Sequence, residues 1–200
     1  MAKVGNRLLF QSTSEDKEIK TEAFLDACRD LTTIFEVFGS AFSVVKMDIN
    51  GNISKLTKKF EQNREKYHTL QEIVRSEIAE KTTRVKNSAT DALLWLKRAL
   101  NFIAVLLDLL VKTTDEVSVC ASTAYEQTLR RYHGFIVKGI FSLAVKASPY
   151  RKNFIKALGK DRSESETLED LRKYTDLLLE NVNTLNQFYQ ETGQERTDKV

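Results

Sequence analysis

Proline is almost absent from this sequence: Pro149 is the only one, and it is accompanied by just seven glycines in 200 residues. Chains that fold entirely into β-structure use both residue types freely in their turns, so this scarcity argues against a β-sandwich or a β-barrel. Apolar residues recur instead at the i, i+3, i+4 and i+7 spacing of an amphipathic helix. The sequence therefore predicts an all-α fold.

Seven or eight helices are expected from this period and from capping residues at the helix ends. Thr69 and Ser88 each precede an apolar-periodic run, and Gly39 is expected to end the first helix. Ser163 and Glu166 have the spacing of a capping box. The predicted helices cover residues 21–38, 43–60, 69–78, 88–110, 116–147, 149–159 and 163–188.

Size and composition indicate one globular domain over residues 1–200, in which residues 1–18 are expected to form a loosely ordered N-terminal segment. The 31 basic and 28 acidic side chains give a net charge of +3, which does not indicate a nucleic-acid-binding protein. Cys28 and Cys120 are far apart in the chain and suggest neither a disulfide nor a zinc site. With no secretory signal or bilayer-length apolar run, we expect a cytoplasmic monomer.

The sequence lacks the motifs of several large enzyme classes, including the P-loop, the GxSxG nucleophile elbow and the HExxH zinc motif. Its two histidines, His68 and His133, have no nearby cysteine or second histidine with which to hold a metal. We therefore expect a protein that is not an enzyme and that needs no metal or cofactor.

Three polar residues share one strip of the second predicted long helix. Asp48, Asn52 and Lys55 follow the i, i+4, i+7 spacing beside an apolar seam. A carboxylate accepts hydrogen bonds, an ammonium donates them and an amide does both, so this strip suits the hydroxyl groups of a sugar. The same pattern is also typical of a solvated polar helix face, and the spacing alone leaves both interpretations open.

Trp95 and His133 are the other two candidate ligand-binding residues. Trp95 is the only tryptophan, and its ring suits either stacking on a flat sugar face or packing as a core anchor. His133 lies beside an apolar stripe, so a buried ring there needs a hydrogen-bond partner, either within the core or on a ligand.

Aromatic and basic residues alternate just after His133. Phe135 and Ile136 stand next to Lys138, and Arg130 and Arg131 precede them. Such a mixture is typical of a membrane-docking patch, and it also fits a solvated basic face.

Three of these segments, in this order, resemble motifs of the glycolipid transfer protein family. Residues 45–56 resemble its D-x-x-x-N-x-x-K recognition motif, residues 92–100 its tryptophan helix, and residues 131–135 its Y-H-G-aromatic motif. Residues 147–158 are similar to the segment that follows in the family. The resemblance extends from about residue 21 to residue 189.

The resemblance implies a two-layer helical sandwich of about eight helices that encloses an apolar lipid pocket. It further implies that Asp48, Asn52 and Lys55 hydrogen-bond the sugar and amide region of a glycosphingolipid. Trp95 is expected to stack under the first sugar ring, and His133 to hold the ceramide amide. Phe135, Ile136 and Lys138 are expected to dock the protein transiently on a membrane surface, so that it is peripheral to membranes.

Two departures from the family pattern bear on these expectations. Phe135 stands where the best-known members have tryptophan, which keeps an aromatic ring but weakens the expected docking. The last four residues, 197–200, lack the tyrosine found near the end of the founding member. The neutral pair Asn52 and Trp95, where ceramide-1-phosphate relatives carry cations, favours a sugar headgroup.

The leading hypothesis is therefore non-vesicular transfer of glycosphingolipids such as glucosylceramide or galactosylceramide between membranes. One alternative is a glycolipid sensor or scaffold that binds the lipid in order to signal to a partner protein. A further alternative is a lipid hydrolase whose motifs the sequence does not reveal.

Overall fold

The computed structural model describes residues 3–4, 7–8, 10–13 and 15–200, and this part of the chain is almost entirely helical. Nine α-helices occur within it, so the predicted all-α class is confirmed. The β-structure among the described residues consists of a pair of two-residue antiparallel strands near the N-terminus and an isolated bridge between Lys20 and Thr69, neither of which the sequence predicts. The elements are β1 (Lys3–Val4), β2 (Arg7–Leu8), α1 (Thr21–Leu31), α2 (Phe35–Phe38), α3 (Ser43–Gln62), α4 (Leu70–Ala79), α5 (Ala89–Lys112), α6 (Val117–Gln127), α7 (Phe135–Lys146), α8 (Arg151–Gly159) and α9 (Glu164–Glu191).

Helix α5 lies at the centre of the molecule. It packs against α3, α4, α6 and α9, while α1 rests on α3, α7 on α6 and α8 on α9. Sixteen of its residues are buried, so it has almost no solvated face, as expected for a helix that is apolar nearly all round. Among the described residues, no helix has both the length and the apolarity needed to cross a bilayer.

Capping residues define several helix ends as predicted. The Thr69 hydroxyl accepts a hydrogen bond from the N–H of Glu72, and the Glu72 carboxylate accepts one from the N–H of Thr69, which makes a capping box. Ser163 and Glu166 form a second capping box. Gly39 ends α2 with a φ of 71°, a conformation that glycine adopts without steric cost.

The predicted first helix, residues 21–38, is interrupted. A 3₁₀ turn at Thr32–Ile34 separates α1 from α2. Two threonine hydroxyls explain the tightening: Thr32 donates to the carbonyl of Arg29, and Thr33 donates to the carbonyl of Asp30. These local bonds compete with the regular helical ladder, so the chain turns more tightly here.

The predicted single helix over residues 116–147 is wrong. Helix α6 ends at Gln127, a 3₁₀ turn covers Arg130–Tyr132, and α7 begins only at Phe135. The Gly134 N–H donates to the carbonyl of Val200 at 2.6 Å, and the Val200 N–H donates to the carbonyl of Tyr132 at 3.0 Å. The backbone between the two helices is therefore paired with the C-terminal segment.

Helix α8 begins two residues later than the sequence predicts. Tyr150 is extended and precedes the helix, so Pro149 lies outside it. The Arg151 N–H donates to the carboxylate of Glu116 at 2.8 Å, which fixes the start of the helix from a distant part of the chain. The helix ends at Gly159, as predicted.

The N-terminal segment, predicted to be loosely ordered over residues 1–18, lies partly outside the described residues, because positions 1, 2, 5, 6, 9 and 14 are not among them. Within the described part, Phe10 is buried and meets the rings of Phe24 and Tyr174 edge-on. The Thr13 N–H donates to the carboxylate of Glu180 at 2.7 Å. These contacts hold the described part of the segment against α1 and α9.

A buried carboxylate caps the central helix. Glu77 on α4 accepts from the N–H groups of Ala89 and Thr90 at 3.0 and 2.8 Å, and from the Thr90 hydroxyl at 2.7 Å. The Ser88 hydroxyl accepts from the N–H of Asp91. The buried N-terminus of α5 therefore has acceptors for its otherwise unpaired donors and a negative charge at its positive end.

We expect Glu77→Ala to lower the free energy of unfolding by about 2–4 kcal/mol, because it leaves buried N–H groups without an acceptor. Glu80→Ala is the matched control: it removes an exposed carboxylate directly after the same helix and should change the free energy of unfolding much less than Glu77→Ala does. Urea denaturation followed by circular dichroism measures both. Equal losses in the two variants would contradict the capping role.

Candidate functional site

Helix α3 carries the polar strip. Ile49, Ile53 and Leu56 are buried and fix the rotation of the helix on the core. Asn52 is only 4% exposed, and its side-chain N–H donates to the carboxylate of Asp48 at 3.4 Å. The two side chains are thus already paired and lie next to apolar surface. Lys55, one turn further on, is half-buried.

The carboxyl group of Asp48 lies in a mixed environment. The residue is at the surface, but neighbouring atoms desolvate its carboxyl group, and this raises its pKa. The positive charge of Lys55 acts in the opposite direction and is the smaller effect. A partly desolvated carboxylate is a stronger hydrogen-bond acceptor than one in bulk water, because the local dielectric is lower.

Trp95 on α5 is half-buried and held from the side. Its ring meets that of Tyr132 edge-on, with 6.4 Å between centroids and 79° between planes. The guanidinium carbon of Arg98 lies 4.8 Å from the Trp95 ring centroid and 3.7 Å from that of Tyr132. Cation–π attraction to both rings stabilises this arrangement. Trp95 is therefore a positioned aromatic surface.

His133 is buried directly after Tyr132. Its Nδ1 lies 3.1 Å from the hydroxyl oxygen of Tyr125, and the Tyr125 ring stacks on Phe141 at 4.0 Å. Burial raises the pKa of Tyr125, so its hydroxyl is protonated at neutral pH. When that hydroxyl donates to Nδ1, the imidazole carries its proton on Nε2, and this N–H is then the donor available to a ligand.

The structure connects the predicted site residues in two groups. Asp48, Asn52 and Lys55 form one group on α3. Trp95 and His133 form the other, linked through Tyr132, which contacts the Trp95 ring and immediately precedes His133. Helices α3 and α5, which carry most of these residues, pack against each other.

The residues predicted to dock on a membrane lie at the start of α7. Phe135 is 92% exposed, and Ile136 is exposed as well, while Lys138 is half-buried. Ile140 and Leu143 continue the exposed apolar stripe along the same helix.

Several residues of the site were not predicted from the sequence. Tyr125 is the hydrogen-bond partner of His133, and Arg98 supports Trp95. Lys97 and Arg98 are buried, although both are charged. The sequence does carry one sign of their burial: they belong to a 24-residue helix that is apolar nearly all round, where a charged pair has no solvated face to occupy.

Titration of His133 follows from its surroundings. Burial lowers the pKa of His133 below its ordinary 6.5, and the positive charge of Lys138 lowers it further. Because the neutral form is favoured in the folded protein, the resulting stability is present above pH 6.5 and is lost as the pH falls through the lower folded-state pKa.

We expect the NMR titration midpoint of His133 to lie below 6.5 and to move upward in Lys138→Gln, because a nearby positive charge is removed. Lys146→Gln, which changes an exposed lysine near the end of the same helix, is the matched control and should leave the midpoint unchanged. A wild-type midpoint at or above 6.5 would contradict this description of the site.

Comparison with known proteins bears on these observations. The family model described as "Glycolipid transfer protein (GLTP)" matches residues 19–160. A glycolipid transfer protein of Aureobasidium melanogenum is 43% identical over 176 residues, covering 87% of this chain and 85% of the relative. Pleckstrin homology domain-containing family A member 8 of Homo sapiens is 36% identical over 194 residues. That alignment covers 93% of this chain but only 37% of the longer relative.

Solved structures agree in fold. The GLTP-fold structure that addresses how FAPP2 selects simple glycosphingolipids has a TM-score of 0.88 at 35% identity, covering 94% of this chain and 93% of the other. The fungal glycolipid transfer protein HET-C2 has a TM-score of 0.86 at 35% identity, covering 96% and 97%. Human ceramide-1-phosphate transfer protein, at 18% identity and a TM-score of 0.84 over 94% of each chain, shows the shared fold alone.

These matches confirm the fold class inferred from the resemblance. The sequence of residues 87–100 also predicts a likeness to the glycolipid-transfer domain of the four-phosphate adaptor protein. The structural match to FAPP2, a four-phosphate adaptor protein, confirms this likeness. The chain belongs to the glycolipid transfer protein family.

Proposed function

We propose that this chain carries a simple glycosphingolipid from one membrane to another without covalent chemistry. The observation that carries the proposal is the buried Asn52 amide paired with Asp48 on α3, in a chain of this family. Asn52 is buried next to apolar surface, where an amide is costly unless its donors and acceptor have partners, and a sugar–amide headgroup supplies them.

Each polar residue of the site has a chemical role in this proposal. Asp48 accepts from sugar hydroxyls, Lys55 donates to them, and Asn52 does both. Trp95 stacks on the apolar face of the first sugar, with Arg98 and Tyr132 holding its ring in place. The Nε2–H of His133 donates to the ceramide carbonyl.

The ceramide chains require an apolar enclosure. Each CH₂ group removed from water contributes about 0.8 kcal/mol, so a lipid with two long chains does not cross water unaided at a useful rate. An aromatic cluster lies beside His133. The ring centroid of Phe141 is 6.3 Å from that of His133 and 5.1 Å from that of Phe102. We infer that the chains enter between the helices at this cluster and displace its ring contacts.

Charge at the headgroup site favours a sugar over a phosphate. Asn52 and Trp95 are neutral, and Lys55 is opposed by Asp48 within the same strip. A phosphate group is gripped most strongly by paired arginines, and the α3 strip has none. The neighbours solved with ceramide-1-phosphate are less than 25% identical to this chain, so they support the shared fold and not this ligand.

Docking on the membrane is proposed to use the N-terminal end of α7. Burial of the Phe135 ring in the interfacial region contributes on the order of 2 kcal/mol to membrane binding, which permits transient association but not permanent anchoring. Since Phe135 follows His133 by two residues, a docked α7 brings the amide-binding imidazole close to the membrane surface.

A vesicle assay tests the function. Donor vesicles carry fluorescent glucosylceramide, acceptor vesicles carry none, and the protein should equilibrate the lipid between them. A sensor or scaffold binds the lipid but does not equilibrate it, and a hydrolase returns altered lipid, which mass spectrometry of the recovered glycolipid detects. Binding without transfer would overturn the proposal in favour of the sensor.

We expect Asn52→Ile to abolish glucosylceramide transfer while circular dichroism stays near normal, because the variant leaves ligand polar groups unpaired at about 1–3 kcal/mol each. Asn50→Ile is the matched control: the same change two residues earlier, at an exposed position of the same helix, should leave transfer intact. Normal transfer by folded Asn52→Ile would refute the headgroup assignment.

We expect Phe135→Ala to slow transfer and to lower partitioning onto vesicles, because the variant removes the most exposed large apolar side chain at this end of α7. Affinity for a short-chain soluble glycolipid should stay nearly unchanged, since that ligand needs no membrane. Val85→Ala, at another exposed apolar position, serves as the control. If affinity for the soluble lipid falls as far as vesicle transfer does, Phe135 lines the lipid pocket and the docking role is wrong.

A further inference from the structure

A basic cavity lies behind the Trp95 and Tyr132 rings, apart from the α3 strip. It has a volume of about 230 Å³ and is enclosed by α5, the 3₁₀ turn Arg130–Tyr132, α9 and the segment after α9. Arg131 and Thr197, which are exposed, form its mouth, and the buried Lys97 and Arg98 form its floor. The amides Asn101, Asn186 and Gln190 also line it.

Positive charge dominates this basic cavity. Among its described lining residues, Lys97, Arg98, Arg131 and Arg196 are cationic, and Glu195 is the one carboxylate. Glu195 is shared, because Lys97 Nζ lies 2.5 Å and Arg98 Nη2 2.9 Å from its two oxygens. Arg196 pairs with Asp91 and with Asp198, both outside the lining. Once these three carboxylates are set against the four cations, one positive charge remains uncompensated.

Arg98 also keeps unused hydrogen-bonding capacity. It is only 4% exposed, and its Nη2 donates to Glu195 and to the carbonyl of Arg196. Its Nε and Nη1 are buried, and neither has an acceptor among the described residues. Unpaired buried donors are rare in proteins, and those on a charged group are the most costly.

The surroundings of Lys97 also indicate an excess of positive charge in the basic cavity. Burial lowers the pKa of Lys97, and the hydrogen bond and charge of Glu195 only partly oppose that effect. The charges of Arg98 and Arg131 lower the pKa further, because the cations repel one another at short range. A bound anion would relieve this repulsion.

We propose that the basic cavity binds a phosphate-class oxyanion, either as a soluble phosphate or as the phosphate group of a lipid. The excess of positive charge, with Lys97 and Arg98 sharing the single carboxylate of Glu195, favours a bound anion, and a phosphate monoester carries roughly −1.5 to −2 at neutral pH. Arginine forks and amide N–H groups suit its several acceptor oxygens, and the volume accommodates the group with water. The basic cavity shares Arg98 and Tyr132 with the support of Trp95, but its lining includes none of the residues proposed to contact the glycolipid, so this inference does not rest on the proposed glycolipid function.

The single tryptophan makes the site measurable. Because Arg98 contacts the Trp95 ring, an anion that binds Arg98 should change the Trp95 fluorescence. Inorganic phosphate is titrated against chloride at constant ionic strength, and we expect a saturable change with phosphate alone. Arg131→Ala should weaken phosphate binding about tenfold, since it removes a charge-assisted contact at the mouth. Arg130→Ala, an adjacent exposed arginine that pairs with Glu126 and does not line the cavity, should leave it unchanged.

A second arm distinguishes the sources of the phosphate. Phosphatidylcholine vesicles with and without phosphatidic acid are added at a fixed phosphate concentration. If phosphatidic acid competes with phosphate, and Arg131→Ala weakens this competition while Arg130→Ala does not, the site binds a lipid headgroup. If phosphatidic acid does not compete, the site binds soluble phosphate. No saturable response to either probe, or equal responses in the wild type and Arg131→Ala, overturns the site. Glucosylceramide transfer in phosphate-free buffer is measured in parallel, so failure of one proposal is distinguishable from failure of the other.

Discussion

The burial of helix α5 on nearly all of its sides is the constraint on which the rest of the structure depends. A helix without a solvated face needs neighbours all round, and α3, α4, α6 and α9 supply them. Its N-terminus is buried too, so its first N–H groups depend on Ser88 and on the distant carboxylate of Glu77. Trp95 and Arg98 belong to this helix, and the core packing that fixes α5 therefore also fixes the aromatic surface of the candidate site.

Arg98 connects that aromatic surface with the end of the chain. Its guanidinium group contacts the Trp95 and Tyr132 rings and bonds to Glu195. Hydrogen bonds and paired charge reduce the cost of burying this group, and Lys97 shares the same carboxylate. The opposing effects are visible in Glu195 itself: burial would raise its pKa, but the hydrogen bonds and charges of Lys97 and Arg98 lower it. The residues after α9 are therefore part of the support of the site.

The region around His133 shows where local sequence information fails. The apolar period continues from α6 into α7, and it therefore predicts one helix over residues 116–147. The chain instead leaves the helix, and the backbone on either side of His133 bonds to Val200. A Cβ atom on Gly134 would lie 3.1 Å from the Val200 carbonyl oxygen, so the close approach itself favours glycine. His133 is extended as a result, which places its ring against Tyr125 and Phe141.

The sequence by itself determined the all-α class, most helix positions, the helix start after Thr69, the capping box at Ser163, and the shared helix face of Asp48 and Asn52. All of these depend on residues within a few positions of one another, and helical period and capping are local properties. Tertiary structure alone decided the break at Gly134, the pairing of His133 with Tyr125, and the burial of Lys97 and Arg98. Lys97 and Glu195 are 98 positions apart, and the period of a single helix carries no information about a partner at that distance.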